Sequence, residues 1–153
     1  MIEIHPTAFV SPLADIEVST KGSRIVVGPN SYVDAFVKIK AAGGVGDIVI
    51  GSHSFINSGC VLYVGNGIVI GDNVSIAANC VLAPTNHEFE DRNTLHQLQG
   101  FRPSRGGICI ENDVWVGAGS VLLETHLFSG FFGCPTSAQQ VACSHHIFHS
   151  QLL

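Results

Sequence analysis

Basic residues are scarce in this chain: seven Lys and Arg stand against twelve Asp and Glu among 153 residues, for a net charge of -5. A protein that grips nucleic acid needs a basic stripe to meet the phosphates, and no stretch supplies one, so nucleic acid is excluded as a partner. Long apolar runs are missing as well. No segment reaches the length of about eighteen apolar residues that a spanning helix needs, and Met1-Ile2-Glu3-Ile4 enters the pattern described below at once, leaving no room for a cleaved leader. A cytoplasmic protein is expected. Five cysteines, an odd number, suit a reducing compartment better than a disulfide framework. Tryptophan occurs once, at Trp115.

What is present is a six-residue beat. Aliphatic residues recur at Ile4, Val10, Ile16; Val27, Val33, Ile39; Ile50, Ile56, Leu62; Ile70, Ile76, Leu82; and Ile110, Val116, Leu122. From Ala8 to Ser120, the position two places before each holds Ala, Ser, Cys, Val or Ile. A half-buried strand would alternate with period two and an amphipathic helix would repeat at three and four; one obligatory aliphatic every six fits neither. It fits a coil of three short strands per turn, the aliphatic residue on the axis and the small residue at the corner. Stacked at the parallel-strand spacing of about 4.8 Å, five rungs make a prism about 24 Å tall. A single rung cannot bury its apolar side, and stacking buries it. Cys60 and Cys80 fall at the same corner of successive rungs, where a disulfide is conceivable and a pair of small buried thiols is the simpler reading.

Between triplets the spacing grows to eleven, eleven, eight and twenty-eight residues, so every insertion falls at one corner. The longest, residues 84–107, is the one segment large enough to be a separate working part. His87 opens it, in the run Thr85-Asn86-His87-Glu88, anchored by the prism and covered by the loop. Histidine is the side chain suited to take and return a proton near neutrality, and a positioned base needs a rigid support of this kind. The other histidines, His96 within the loop included, carry less organised surroundings. A zinc site of the kind carried by γ-class carbonic anhydrases, which share the prism, needs three imidazoles; His87 and His96 lie nine apart across an insertion, no rung displays a suitable pair, and no metal is expected.

The hexapeptide register, Thr85-Asn86-His87-Glu88 with the loop that follows, and Val114-Trp115-Val116-Gly117-Ala118 together resemble the hexapeptide-repeat O-acetyltransferases that modify galactosides, maltose and polysaccharide sugars. The resemblance covers residues 1–124. It implies an all-β, left-handed parallel β-helix, a handedness opposed to the usual right-handed crossover. It further implies transfer of an acetyl group from acetyl-CoA to a sugar hydroxyl, in surface polysaccharide biosynthesis, by a homotrimer with active sites between subunits. His87 is then the general base, and Asn57 lines the acceptor and thioester site. The backbone N–H of Ala118 faces the oxyanion, with Gly117 on the cofactor side. Trp115, on the outward side of its strand, is expected to mark a contact, with either a neighbouring subunit or the pantetheine arm of the cofactor. Arg102 and Arg105 in the loop are candidates for the sugar.

The beat stops at Glu124. Residues 125–153 contain no Asp, Glu, Lys or Arg, whereas the preceding residues carry all nineteen. Carrying the register forward puts Gln140 on the axis. The chain therefore divides into the β-helix, 1–124, and a non-repeat tail, 125–153, read as an alternative cap, a recombined end or the product of a shifted reading frame, of which we favour the last. A short helix starting at Pro135-Thr136-Ser137 would present Val141, Ile147, Phe148 and Leu152 to the open end of the prism. Because no Lys or Arg follows Arg105, the coils that hold the CoA phosphates in the resembling family have no counterpart here. A catalytically impaired or non-catalytic trimeric β-helix is the alternative function.

Overall fold

The computed structural model describes residues 1–124 and 139–141. Three parallel sheets form the faces of a prism. The first face holds β1 (Ile2–Ile4), β4 (Ile25–Val27), β7 (Ile48–Ile50), β10 (Ile68–Ile70) and β13 (Ile108–Ile110). The second holds β2 (Phe9–Val10), β5 (Tyr32–Val33), β8 (Phe55–Ile56), β11 (Ser75–Ile76), β14 (Val114–Val116) and β16 (Gln139–Val141). The third holds β3 (Asp15–Ile16), β6 (Lys38–Lys40), β9 (Val61–Tyr63), β12 (Val81–Ala83) and β15 (Val121–Leu123). Neighbours within a face are three elements apart in sequence for β1 to β15, so the chain visits the faces in turn. The architecture is the all-β parallel β-helix of about five rungs that the beat predicts.

The axial residues explain why the coil closes. From the second rung to the fifth every one of them, Val27 to Leu122, is buried. The residues two places earlier join the same core, and Ile25, Ile48, Ile68 and Ile108 stand level with one another across the first face. Each such aliphatic contributes about 1.5–3 kcal/mol by leaving water. In the first rung β1 pairs on one side alone, with β4, and Ile4 is 45% exposed.

The corners are built from hydrogen bonds and backbone shape. Between the first and second faces Ser31 Oγ donates to the Gly51 carbonyl at 2.6 Å and accepts from the Ser54 N–H at 2.9 Å. One rung up, Ser54 Oγ donates to the Gly71 carbonyl at 2.8 Å and accepts from the Val74 N–H at 3.0 Å. Asn30, His53, Asn73 and Asp113 take the left-handed conformation at this corner, with φ between 54° and 58°, which polar residues tolerate best after glycine. The rungs approach closely here. A Cβ on Gly28 would lie 2.5 Å from the Gly51 carbonyl oxygen, and one on Gly51 would lie 2.5 Å from Asp72 Oδ1 and 2.6 Å from the Gly71 backbone.

All the insertions leave from the corner between the third and first faces, the longest carrying the short helix α1 (His96–Gln99). Cys60 and Cys80 are buried thiols not joined in a disulfide, each Sγ directed at a carbonyl of the next rung, Ala77 at 3.1 Å and Gly117 at 3.2 Å. In β16, Gln140 stands level with Trp115 and Val141 with the axial Val116, so Val141 and not Gln140 is level with an axial residue. Gln139–Val141 is thus strand where the helix expected from Pro135 would run, and the remainder of the tail lies outside the described residues.

Candidate active site

His87 sits where the long loop leaves the prism and is fixed there from two sides. Its backbone forms an antiparallel bridge with Phe101, on the returning limb of the loop, and its ring packs on the Phe101 ring with centroids 4.4 Å apart. His96, on α1, brings its ring within 5.2 Å of the same imidazole. His87 and Phe101 wall a cavity of about 270 Å³ against the prism, closed on the other sides by Tyr63, Ala83, Thr85, Ala42 and Gly43. No Asp, Glu, Lys or Arg side chain lines it. The cavity spans successive rungs of one corner: Ala42 and Gly43 follow β6, Tyr63 ends β9, and Ala83 ends β12.

The loop is held in shape by its own side chains. Arg102, expected at the substrate, ion-pairs with Glu88 at 3.2 Å and with Glu90, lies over the Phe89 ring at 4.5 Å, and donates its backbone N–H to the Asn86 carbonyl at 2.8 Å. The N–H of Phe89, with that of Glu90 and the Arg102 guanidinium, holds the Glu88 carboxyl below the usual carboxylate range. Arg102 therefore shapes the loop's entrance. Arg105 is exposed at the loop's exit, its backbone N–H donated to Glu124 Oε1 at 2.7 Å.

Glu124, where the sequence pattern ends, is the part of this corner that sequence reasoning missed. It is 3% exposed and faces no cation among the described residues. Its Oε1 accepts from Asn66 Nδ2 at 2.8 Å, Ser104 Oγ at 3.0 Å, the Arg105 N–H and the Gly107 N–H at 3.4 Å. Burial works to raise its carboxyl, and the N–H of Arg105, the Asn66 amide, the Ser104 hydroxyl and the N–H of Gly107 outweigh it, leaving the group below the ordinary carboxylate range. The signal was available: a carboxylate two places after the last axial residue is out of keeping with a corner of small residues.

The other predicted site residues stand at a different edge of the prism. Asn57 follows β8 and Gly117 and Ala118 follow β14, both at the corner between the second and third faces. Asn57 is exposed, and its Nδ2 donates to the Ile76 carbonyl at 2.7 Å. Trp115 points outward from β14 and is 39% exposed. Within one chain the structure thus brings together His87, His96 and Phe101, with Arg102 bonded to the backbone beside His87 and Arg105 further along at the loop's exit, and it keeps Asn57, Trp115, Gly117 and Ala118 at another corner. Among the described residues no group of three or more His, Cys, Asp and Glu is placed to hold a metal ion, and no helix is long and apolar enough to cross a membrane.

Comparison with solved structures shows a likeness of fold. Crystal structures of mutant forms of AntD, an N-acyltransferase from Bacillus cereus, superpose on this chain. One, in complex with dTDP-4-amino-4,6-dideoxyglucose and coenzyme A, is 22% identical with a TM-score of 0.60, covering 80% of this chain and 62% of its own. Another, in complex with dTDP and coenzyme A, is 21% identical with a TM-score of 0.59 over the same shares. This chain therefore spans less than two thirds of the length of these structures. The likeness is that of the left-handed parallel β-helix. No family model and no curated protein matches the sequence.

Proposed function

We propose that this chain transfers an acyl group from coenzyme A to a nucleophile on a sugar. The sugar hydroxyl or amine attacks the thioester carbonyl while His87 takes its proton; collapse of the tetrahedral intermediate expels the thiolate, to which His87 returns the proton. A base so positioned contributes about 10²- to 10⁴-fold. The observation that carries the reading is the cavity, lined by no Asp, Glu, Lys or Arg and walled by His87, whose imidazole is braced by Phe101 on a loop braced in turn by Arg102 and Glu124. An acyl group and the face of a sugar ring suit such a wall, because Tyr63 and Phe101 offer apolar ring surface and Thr85 a hydroxyl.

The specific form of the proposal is acetyl transfer from acetyl-CoA to a sugar hydroxyl in surface polysaccharide synthesis, in the cytoplasm. AntD is an N-acyltransferase solved with an amino sugar nucleotide and coenzyme A, which supports an amine as the other acceptor. Arg24, Lys40 and Arg102 are committed to ion pairs; of the other four cations, Lys21, Lys38, Arg92 and Arg105, the two on the loop that carries His87, Arg92 and Arg105, are proposed for the CoA phosphates. The separation of His87 from Asn57, Trp115, Gly117 and the Ala118 N–H supports a homotrimer in which the third–first corner of one copy meets the second–third corner of another. Acetyl transfer from acetyl-CoA to a panel of sugars, amino sugars and their nucleotides tests the reading. Equal rates for the wild type and His87→Ala would sink it.

A further inference from the structure

The outward positions of the second face form a column of rings with one member missing. Level with one another from β2 to β14 stand Phe9, Tyr32, Phe55, Ser75 and Trp115. Phe9 and Tyr32 stack with centroids 4.6 Å apart and 17° between planes, and Tyr32 and Phe55 follow at 6.2 Å and 29°. On the fourth rung the column is interrupted by a hydroxymethyl group. Phe55 and Trp115 are therefore two rung steps apart, about 9.6 Å. A flat ring midway would lie about 4.8 Å from each, close to the spacing that Phe9 and Tyr32 adopt. Phe55 has Tyr32 as its ring neighbour on one side, and the next position of the column on its other side is Ser75. Both walls are open to solvent, Phe55 at 46% and Trp115 at 39%. The gap has the height of one ring.

We propose that the gap over Ser75 is a stacking site for a single nucleobase. Aromatic faces hold any base, since every base has a π-face, and the half-buried Ser75 hydroxyl at the floor offers one donor and an acceptor to the ring edge. The strands forming the walls run directly into the proposed thioester site: Asn57 lies two residues beyond Phe55, and Gly117 two beyond Trp115. The inference rests on the acyl-transfer reading, in which both co-substrates can carry a base, adenine on coenzyme A and the nucleoside of a nucleotide-linked sugar.

Trp115 is the one tryptophan of the chain, so its fluorescence reports on the site. Coenzyme A and dTDP are titrated separately, with pantetheine and pyrophosphate as base-free controls. Saturable quenching by one or both base-bearing ligands and none by the controls is expected, and which ligand quenches identifies the source of the base. Ser75→Phe completes the column: it is expected to abolish binding with an unchanged thermal unfolding profile, and Trp115→Leu, followed by calorimetry, to weaken it at least about tenfold. The proposal is overturned if neither ligand binds, if Ser75→Phe binds as the wild type does, or if either substitution changes the oligomeric mass, which would make the gap a contact between copies. Since these measurements read binding and leave His87 intact, their failure is separable from a failure of acyl transfer in the His87→Ala comparison.

Discussion

Asn66 donates its side-chain amide to Glu124 at 2.8 Å, joining positions 58 apart in sequence. The bond ties the corner after β9 to the exit of β15, with the end of the long loop held between them by Ser104, Arg105 and Gly107. Glu124→Ala would leave those donors without their acceptor and is expected to destabilise the fold by about 2–3 kcal/mol, with a smaller loss for Glu124→Gln, which keeps an acceptor oxygen. The Glu124 carboxyl is held below its unfolded value. Its contribution is therefore present above the ordinary glutamate range and lost as pH falls through the folded value. Urea unfolding of the wild type and Glu124→Gln at a series of pH values should show their difference shrinking below about pH 4.5.

Phe101 braces the imidazole of His87 without carrying a proton itself. Phe101→Ala is expected to lower kcat about tenfold or more through a misplaced base and to leave the pH dependence of the rate unaltered. Steady-state rates for this variant and Phe101→Tyr, which keeps the ring, check the assignment. A shifted pH profile would give Phe101 a different role.

Gly51→Ala places a methyl group against the backbone of the next rung. The expected cost is about 1–3 kcal/mol, the range for overpacking a close-fitted site, read as a lowered unfolding temperature. Gly22 and Gly106 have open space where a Cβ would stand, but their φ values of 90° and 113° make alanine there a test of backbone strain instead.

Phe36 holds a left-handed backbone at φ 63° with its side chain 61% exposed. The equivalent position one rung on is Gly59, at φ 74°. Phe36→Gly is expected to relieve about 1 kcal/mol of strain. A stability equal to or below the wild type's in chemical denaturation would contradict this.

Burial pushes the Cys60 thiol up to about 11 from an ordinary 9.0. Folding thus loses stability as pH rises from about 9 towards 11, because the unfolded chain ionises first. Cys60→Ala should flatten that part of the stability profile. In the folded protein Cys60 should resist thiol reagents near neutrality, where the thiolate is the reacting form.

The coil could be read from sequence because its core imposes one requirement per six residues, and Val27 to Leu122 all meet it. The long loop and His87 followed from the same register, as the one place where the count breaks. The cavity's other walls were not legible: Tyr63, Thr85 and Phe101 point outward or lie in the loop, where packing imposes no period. Arg102 showed in the sequence only as a charge on the loop, and its partners there, Glu88, Glu90 and Phe89, could not be read from it. The division of the predicted site between two edges was latent in the register, since Asn57 follows a second-face strand and His87 a third-face one.

The glycine corner bears on how this protein can change. Where Gly28 and Gly51 press on the rung beyond, there is no room for a side chain without displacing backbone, whereas the opposite edge has absorbed four insertions of three different lengths. Mutational drift, or a designer grafting a new loop, is thereby steered to the single edge that carries His87, so the scaffold confines novelty to one side and keeps the other edges as fixed reference lines.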